Sequence, residues 1–333
     1  MLRGRRVVLA IVAACALTAP AAAYLKLGTV VVGGRTQSLR WREFPVGYFV
    51  TNTDVPRVSA QQFQAAVTRA FNTWHAVEMA ETSSRFAGFV AATPMRGDGA
   101  NVLGFLNRPD QERTLAATSF TVDETTGQIL ESDIFFNSAF TWSTAEAGDA
   151  NHYDVESIAV HEIGHLLGLS HSAIGETELQ PGGRRVIGAE SVMFPVAFSR
   201  GNIADRSLKA DDIAGISDLY GTRAFTRDFG SISGRVTKNG RAVKGAHVVA
   251  FSTQSGKLVG GFTLNDNGDF VIAGLQPGPH ILRAEPLDDG DLTSFFDDDF
   301  EVDVDFRVTF YERVVAVPRG GGANDVEIKV TPK

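Results

Sequence analysis

The residue types and spacing best suited to chemistry occur in one short string, HEIGHLLGLSH, at residues 161–171. His161 and His165 are four residues apart, which on a helix places two imidazoles on one face, about one turn (~5.4 Å) apart. Both rings can then bind the same cation, while Glu162 lies beside that cation and is not a ligand.

His171 supplies a third candidate ligand. Gly168 can adopt the left-handed conformation that ends a helix and turns the chain, so that His171 returns to the same ion. Three protein ligands plus water make a catalytic zinc site, in which the metal lowers the pKa of the water towards ~7. Glu162 is then placed to accept the proton of that water as it attacks a peptide carbonyl. The string predicts one zinc ion and hydrolytic chemistry.

Other ligand sets fit the sequence less well. A carboxylate third ligand would have to be Glu176 or Glu178, which lie in a polar segment without helical periodicity. His152, nine residues before His161, is expected at the entry of the helix. We therefore favour the three histidines.

The elements that must position these residues alternate between helices and short strands. An amphipathic helix is predicted to follow the capping-box pattern at residues 59–62, and the metal-binding helix is predicted at residues 153–167 with Asp154 as its N-cap. A last helix is predicted to begin at Ser207 and to end at Gly221. An edge strand is predicted around Pro45, and further strands are predicted at residues 86–91, 101–106, 116–122 and 129–136.

These motifs resemble the metzincin clan of zinc proteases and, within it, the matrixins. The resemblance covers residues 39–221 and rests on HEIGHLLGLSHS, on SVMFP around Met193 and on LKADDIAGISDLYG. It implies that Met193 lies in a tight turn beneath the zinc, where its thioether is an apolar floor and not a ligand. It also implies that residues 116–120 form a sheet edge that pairs with an extended substrate.

The chain departs from this family at two points. Pro195 stands where some metzincins have a tyrosine two residues after the methionine, so a tyrosine ligand is not expected. Animal matrixins hold a second, structural zinc with histidines near the substrate strand, whereas Thr118 and its neighbours include none. We therefore expect one catalytic zinc.

The chain changes character after residue 228, where short alternating runs are separated by glycines. Residues 231–285 resemble the carboxypeptidase regulatory-like family of small β-sandwiches. Residues 265–269 could suggest calcium, but an Asp/Asn-Gly hairpin turn explains them as well, so calcium stays an alternative without a clear motif.

The first residues have the layout of a secretory signal peptide, with three arginines, an apolar run and a small-residue exit at Ala23. A membrane anchor, or lipidation at Cys15 within a loose lipobox, is the alternative. Cys15 is the only cysteine, so the mature chain is expected to have no disulfide. Loss of the three arginines would take the formal net charge from −8 to −11, which argues against nucleic acid or an anionic membrane as partner.

The sequence thus predicts an α+β fold: a metzincin-type catalytic domain with a twisted mixed sheet, long helices and a cleft, followed by an all-β sandwich. The predicted divisions are a signal peptide (1–23), a lead-in (24–38), the protease domain (39–222), a linker (223–230) and the sandwich (231–333). The predicted function is that of a secreted, extracellular zinc endopeptidase acting on proteins or peptides. The sequence leaves the oligomeric state open, and a monomer is favoured. Since every candidate catalytic residue precedes Gly221, the sandwich is expected to be dispensable for chemistry. The alternative is a secreted adhesion or binding protein with a vestigial metal site.

Overall fold

The computed structural model describes residues 25–95, 97–181, 183–197, 199–296 and 300–333, and the backbone of residues 6–10. Cys15 and the predicted cleavage site at Ala23 lie outside the described residues. Helices and two groups of strands form an α+β fold with two main hydrophobic cores, so the predicted fold class is confirmed. The α-helices are α1 (Ala60–His75), α2 (Val155–Leu166), α3 (Ala210–Tyr220) and α4 (Arg223–Asp228).

The strands divide between the two parts of the chain. Those of the first part are β1 (Arg6–Ala10), β2 (Thr29–Val32), β3 (Arg35–Ser38), β4 (Val46–Thr51), β5 (Ser84–Val90), β6 (Val102–Leu106), β7 (Ala116–Asp123), β8 (Gln128–Asn137), β9 (Trp142–Ser143), β10 (Tyr153–Asp154), β11 (Gly175–Gln180) and β12 (Gly183–Ala189). Those of the second part are β13 (Gly230–Lys238), β14 (Arg241–Ala242), β15 (His247–Ser252), β16 (Leu258–Phe262), β17 (Asp269–Leu275), β18 (Gly278–Glu285), β19 (Thr309–Phe310), β20 (Val315–Val317) and β21 (Gly322–Val330).

The main sheet has the order β1-β7-β8-β6-β4-β5. Strands β4, β5, β6 and β8 are parallel to their neighbours in this group, and β7 is antiparallel to β8, so the sheet is mixed. β4 lies inside the sheet and not at its edge, so the predicted edge strand around Pro45 is wrong. Pro45 directly precedes Val46, where β4 begins, so its missing N–H falls outside the hydrogen-bond ladder.

β7 pairs with β8 on one side and with β1 on the other. The β1–β7 pairing is antiparallel, from Arg6 opposite Asp123 to Ala10 opposite Ser119. The strand predicted to accept an extended substrate is therefore covered over part of its length by residues of the predicted signal peptide.

α1 packs against α2, and both helices contact the main sheet. Ser59 accepts a hydrogen bond from the Gln62 N–H, and the Gln62 side chain accepts one from the Ser59 N–H, which is the predicted capping box. The apolar face of α1 is buried in the first core. Nε1 of Trp74, on α1, donates a 2.8 Å hydrogen bond to the Val160 carbonyl in α2. This contact fixes the distance between the two helices.

α2 begins and ends at residues that the sequence identifies. Asp154 is the N-cap and accepts a hydrogen bond from the Ser157 N–H. Two residues beyond Leu166, the last residue of the helix, Gly168 has a φ of 101°, and a Cβ there would lie 2.9 Å from the Leu39 carbonyl oxygen. Both the left-handed backbone and the close approach require glycine.

Four segments differ from the sequence prediction. Residues 174–192, which show no readable period, contain the hairpin of β11 and β12. The last helix of the first domain, α3, begins after Lys209 and not after Ser207, because residues 204–206 form a 3-10 turn. The predicted linker contains α4, and the predicted lead-in contains the β2–β3 hairpin.

The second part is a β-sandwich with its own core. One sheet has the order β14-β13-β17 with β21 also on β13, and the other has β16-β15-β18-β19 with β20 also on β18. A third, smaller hydrophobic cluster joins Leu25 and Ala173 of the first part to Phe262, Leu287, Phe295 and Phe296 of the second. No helix among the described residues combines the length and apolar character that a membrane crossing needs.

Candidate metal centre

The three histidines of the motif converge on one point. His161 and His165 lie one turn apart on α2, and His171 returns from the loop that follows Gly168. Nε2 of His165 lies 3.2 Å from Nε2 of His161 and 3.2 Å from Nε2 of His171. Within the described part of the chain, this triad is the group of three or more side chains that could hold a metal ion.

The contacts of Nδ1 determine which tautomer each ring adopts, and therefore whether its Nε2 atom can bind a cation. Each Nδ1 lies within hydrogen-bond distance of a backbone carbonyl, which can only accept, so each neutral ring carries its proton on Nδ1. The acceptors are Val192 at 2.6 Å from His161, Leu169 at 2.9 Å from His165 and Ser294 at 2.5 Å from His171. Three Nε2 lone pairs consequently face one another and repel unless a cation binds them.

The donor set fits zinc. Nitrogen ligands at ~2.0–2.1 Å in a tetrahedral site lie about 3.3–3.4 Å apart, close to the two spacings observed here. Burial lowers the pKa of all three rings, and neighbouring imidazoles lower it further for His165 and for His171, whose pKa falls to about 3. The rings are therefore neutral near pH 7, as metal ligands must be.

Glu162 directly follows His161 on α2 and is almost fully buried. Burial raises the pKa of its carboxyl to about 7, and a hydrogen bond from Thr118 opposes this shift. The Thr118 hydroxyl on β7 lies 2.6 Å from Oε2 of Glu162. A cation on the histidines would favour the carboxylate form further.

Met193 packs directly against Gly164 of α2. It is 2% exposed, and a Cβ added to Gly164 would overlap its sulfur atom and approach Trp74 to 2.8 Å. Gly164, between the two helical histidines, therefore leaves the space that the methionine side chain fills.

Asp212 is not among the site residues predicted from the sequence, and it holds the turn that contains Met193. Its carboxylate accepts hydrogen bonds from the Ser191 hydroxyl at 2.6 Å and from the backbone N–H groups of Val192, Met193 and Lys209. Burial raises the pKa of Asp212, and these hydrogen bonds oppose the rise. The available signal was its position three residues after the N-cap of α3, within the motif LKADDIAGISDLYG.

Asp211 supports the loop that carries His171. The Ser172 hydroxyl donates to its Oδ2 at 2.6 Å, and the Gly260 N–H of the sandwich donates to its Oδ1 at 2.8 Å. Burial raises the pKa of Asp211 to about 7. The preceding turn is also held, because the Gly168 carbonyl accepts from the Leu27 N–H and the Ser170 N–H donates to the Leu25 carbonyl.

The rejected ligands do not join the triad. Nδ1 of His152 lies 2.9 Å from Oδ1 of Asp149, and Glu178 binds Arg185 on the neighbouring strand at 2.7 Å. Glu176 lies on β11 and is not part of the metal-binding group found among the described residues.

Comparison with protein families supports both parts of the chain. The family model described as matrixin matches residues 40–221, and that of the carboxypeptidase regulatory-like domain matches residues 231–290. The two resemblances drawn from the sequence motifs are thereby confirmed.

Three curated relatives give the range of similarity. Metalloendoproteinase 2-MMP of Arabidopsis thaliana is 30% identical over 169 residues, covering 48% of this chain and 38% of that protein. Stromelysin-1 of Mus musculus is 28% identical over 211 residues, covering 61% and 38%, and Metalloendoproteinase 1 of Glycine max is 29% identical over 197 residues, covering 55% and 53%. This chain thus spans between 38% and 53% of the length of these relatives.

Proposed function

Because the chain belongs to the matrixin family, we propose that it is a zinc-dependent endopeptidase that hydrolyses internal peptide bonds of proteins. The observation that carries this proposal is the convergence of three neutral imidazoles beside one buried carboxyl group. In this proposal His161, His165 and His171 hold one zinc ion through Nε2, and each Nδ1–H fixes its ring by binding a carbonyl. A zinc ion held there supplies a Lewis acid that acidifies water and polarises a peptide carbonyl.

Glu162 is the proposed general base. Its carboxylate accepts a proton from the attacking water and returns that proton to the leaving amine, so no nucleophilic side chain is needed. Thr118 orients the carboxylate through its 2.6 Å hydrogen bond and leaves the second oxygen, Oε1, available for the proton.

The substrate is proposed to bind as an extended strand along β7. This strand carries Thr118 next to Glu162, and its outer side supports antiparallel pairing, as β1 demonstrates from Ser119 to Asp123. Main-chain pairing of this kind accepts many sequences, which suits an enzyme that cleaves proteins. Cleavage after Ala23 would remove β1 and leave this side of β7 free.

Met193 is the proposed apolar floor of the site, held by Asp212 and seated against Gly164. Its thioether is not a ligand, because the three imidazoles already complete the protein's share of a catalytic zinc site. We also propose that the protein is exported, on the basis of the signal-like layout of residues 1–23.

The test is Glu162→Gln, which keeps the size of the side chain and removes its basicity. We expect zinc content to stay at one ion per chain while peptide hydrolysis falls ~10²- to 10⁴-fold, the usual worth of a general base. His171→Ala should instead weaken zinc binding itself. Glu124→Gln, in the exposed turn between β7 and β8, is the matched control and should behave as the wild type. Near-normal hydrolysis by zinc-loaded Glu162→Gln would contradict the mechanism.

A further inference from the structure

The carbonyl that binds His171 belongs to the sandwich domain. The acceptors for the other two ligands, Val192 and Leu169, come from the same domain as the rings that they hold. The acceptor for His171 is Ser294, 123 residues further along the chain and 2.5 Å from Nδ1. The two histidines on α2 are also held by the helix, whereas His171 lies on a loop and depends more on its contacts.

The Ser294 carbonyl is fixed by a short turn. Residues 292–294 form a 3-10 turn in which the Ser294 N–H donates to the Asp291 carbonyl, and the N–H groups of Phe295 and Phe296 donate to the Leu292 carbonyl. The Ser294 carbonyl is not used by these bonds, so it is available to His171.

We call residues 287–296 the docking loop, because both apolar and polar contacts attach it to the catalytic domain. Phe295 is 4% exposed, and its ring centroid lies 6.5 Å from that of His171. Asp289 accepts a 3.0 Å hydrogen bond from the Thr177 N–H and, through its carbonyl, a 2.8 Å bond from the Thr177 hydroxyl. Arg184 donates to the Asp288 carbonyl at 2.8 Å.

The sandwich holds the His171 loop at a second point as well. The Gly260 N–H binds Asp211, and Asp211 in turn binds the hydroxyl of Ser172, directly after the ligand. The segment from His171 to Thr177, which ends within β11, is thus attached to the sandwich at three points. His171 binds the Ser294 carbonyl, Ser172 is linked through Asp211 to Gly260, and Thr177 binds Asp289.

From these contacts we infer that the docking loop is a positioning element of the metal centre, so that docking of the sandwich and zinc affinity are coupled. The inference rests on the proposed zinc site. The Ser294 carbonyl keeps the proton of His171 on Nδ1 and holds the ring with Nε2 turned towards the other two ligands. Because a coupling between two equilibria is reciprocal, bound zinc must also hold the docking loop in place.

The first experiment compares zinc affinities in the full chain by competition with a chromophoric chelator. Phe295→Ala removes the side chain that seats the loop beside His171, and loss of an outer-shell partner commonly lowers metal affinity ~10- to 100-fold. We expect at least a tenfold loss. The matched control is Phe310→Ala, the same change at an exposed phenylalanine of the sandwich on β19, which should leave zinc affinity within about twofold of wild type. Unchanged affinity in Phe295→Ala would overturn the inference.

The second experiment needs no substitution, so it remains decisive if Phe295→Ala fails to fold. Hydrogen exchange of the wild-type protein is measured with and without zinc, by mass spectrometry of peptides from the docking loop and from β13. We expect zinc to slow exchange in the docking loop at least several-fold and to leave β13 unchanged. Equal exchange of the docking loop in both states would overturn the inference.

Neither readout requires hydrolysis of a peptide. If the coupling is absent while the protein cleaves peptides, the inference fails and the proposed function stands. If the coupling is present but wild-type protein cleaves no peptide, the proposed function fails and the role of the docking loop in metal binding stands.

Discussion

The hydroxyl of Thr118 donates a 2.6 Å hydrogen bond to Oε2 of Glu162 and so joins β7 to the buried carboxyl group of α2. Thr118 also approaches the Glu162 carbonyl oxygen at 3.2 Å, so one side chain is held against both the backbone and the carboxyl group of the same residue. β7, the proposed substrate-binding strand, is therefore joined by a direct hydrogen bond to Glu162, the proposed general base.

Thr118→Val should test this connection, since valine keeps the shape of threonine and lacks the hydroxyl. A hydrogen bond to a charged group contributes ~1.5–3 kcal/mol, so we expect kcat/KM for a peptide to fall about 10- to 100-fold. Zinc content should not change, because Thr118 contacts no ligand atom. Thr51→Val, a buried threonine of β4 away from the proposed substrate strand, is the control and should retain activity. A Thr118→Val enzyme as active as the wild type would show that the hydroxyl is not needed to orient Glu162.

Gly164→Ala should damage the centre through packing and not through charge. The added methyl group would overlap the Met193 sulfur, and overpacking of this kind typically costs ~1–3 kcal/mol. We expect a lower melting temperature and weaker zinc binding. Gly188→Ala on β12, where a Cβ meets no atom within 4 Å, is the control for the change of residue type. Equal stability of the two variants would mean that Met193 can move away without cost.

Asp211 should make folding stability depend on pH. Its pKa is raised from the ordinary value of 3.8 to about 7 by burial, with a contribution from Asp212. The folded state therefore binds the proton more tightly than the unfolded state does. The protonated Asp211 carboxyl group contributes its full stabilisation below pH ~4, and this contribution is lost as pH rises to about 7.

Asp211→Asn imitates the protonated form, because its amide can still accept from the Gly260 N–H and can donate to Ser172. The free energy of unfolding of wild type minus that of the variant should decrease from pH 4 to 7 and stay constant above. Denaturant titrations of both proteins at a fixed zinc concentration would measure this difference. A difference independent of pH would show that the carboxylate is equally well accommodated in its charged form.

Removal of the predicted signal peptide should free β7. In a secreting host we expect the mature protein to begin at Tyr24, which N-terminal sequencing would determine. Protein that retains residues 1–23 should hydrolyse peptides more slowly than mature protein, because β1 pairs with β7 where the substrate is proposed to bind. Equal rates would indicate that this pairing does not compete with substrate.

Local sequence was sufficient for the parts of the site whose geometry is local. The spacing of His161 and His165 follows from the helical repeat, and Asp154 and Gly168 define the ends of α2 because capping and left-handed turns have strong residue preferences. The capping box of α1 was predictable for the same reason. The α+β character of the fold was predictable because helices and strands have different local periodicities.

The predictions were wrong where the structure depends on contacts between residues that are far apart in the sequence. The position of β4 inside the sheet depends on partners 38 to 53 residues away, so the proline before it was misleading. The hairpin at residues 175–189 has no clear alternation, and its exposed apolar residues, Leu179 and Ile187, do not mark a core-facing side.

Tertiary structure alone decided what holds the proposed ligands. His161, His165, His171 and Glu162 could be named from one eleven-residue string, because a metal site of this kind selects residue types at fixed spacing. Their partners Thr118 and Ser294 could not, because the first is one of two threonines on β7, 44 residues before Glu162, and the second acts through a backbone carbonyl that any residue possesses. A carbonyl has no sequence signature, so only the fold could bring the sandwich domain to His171.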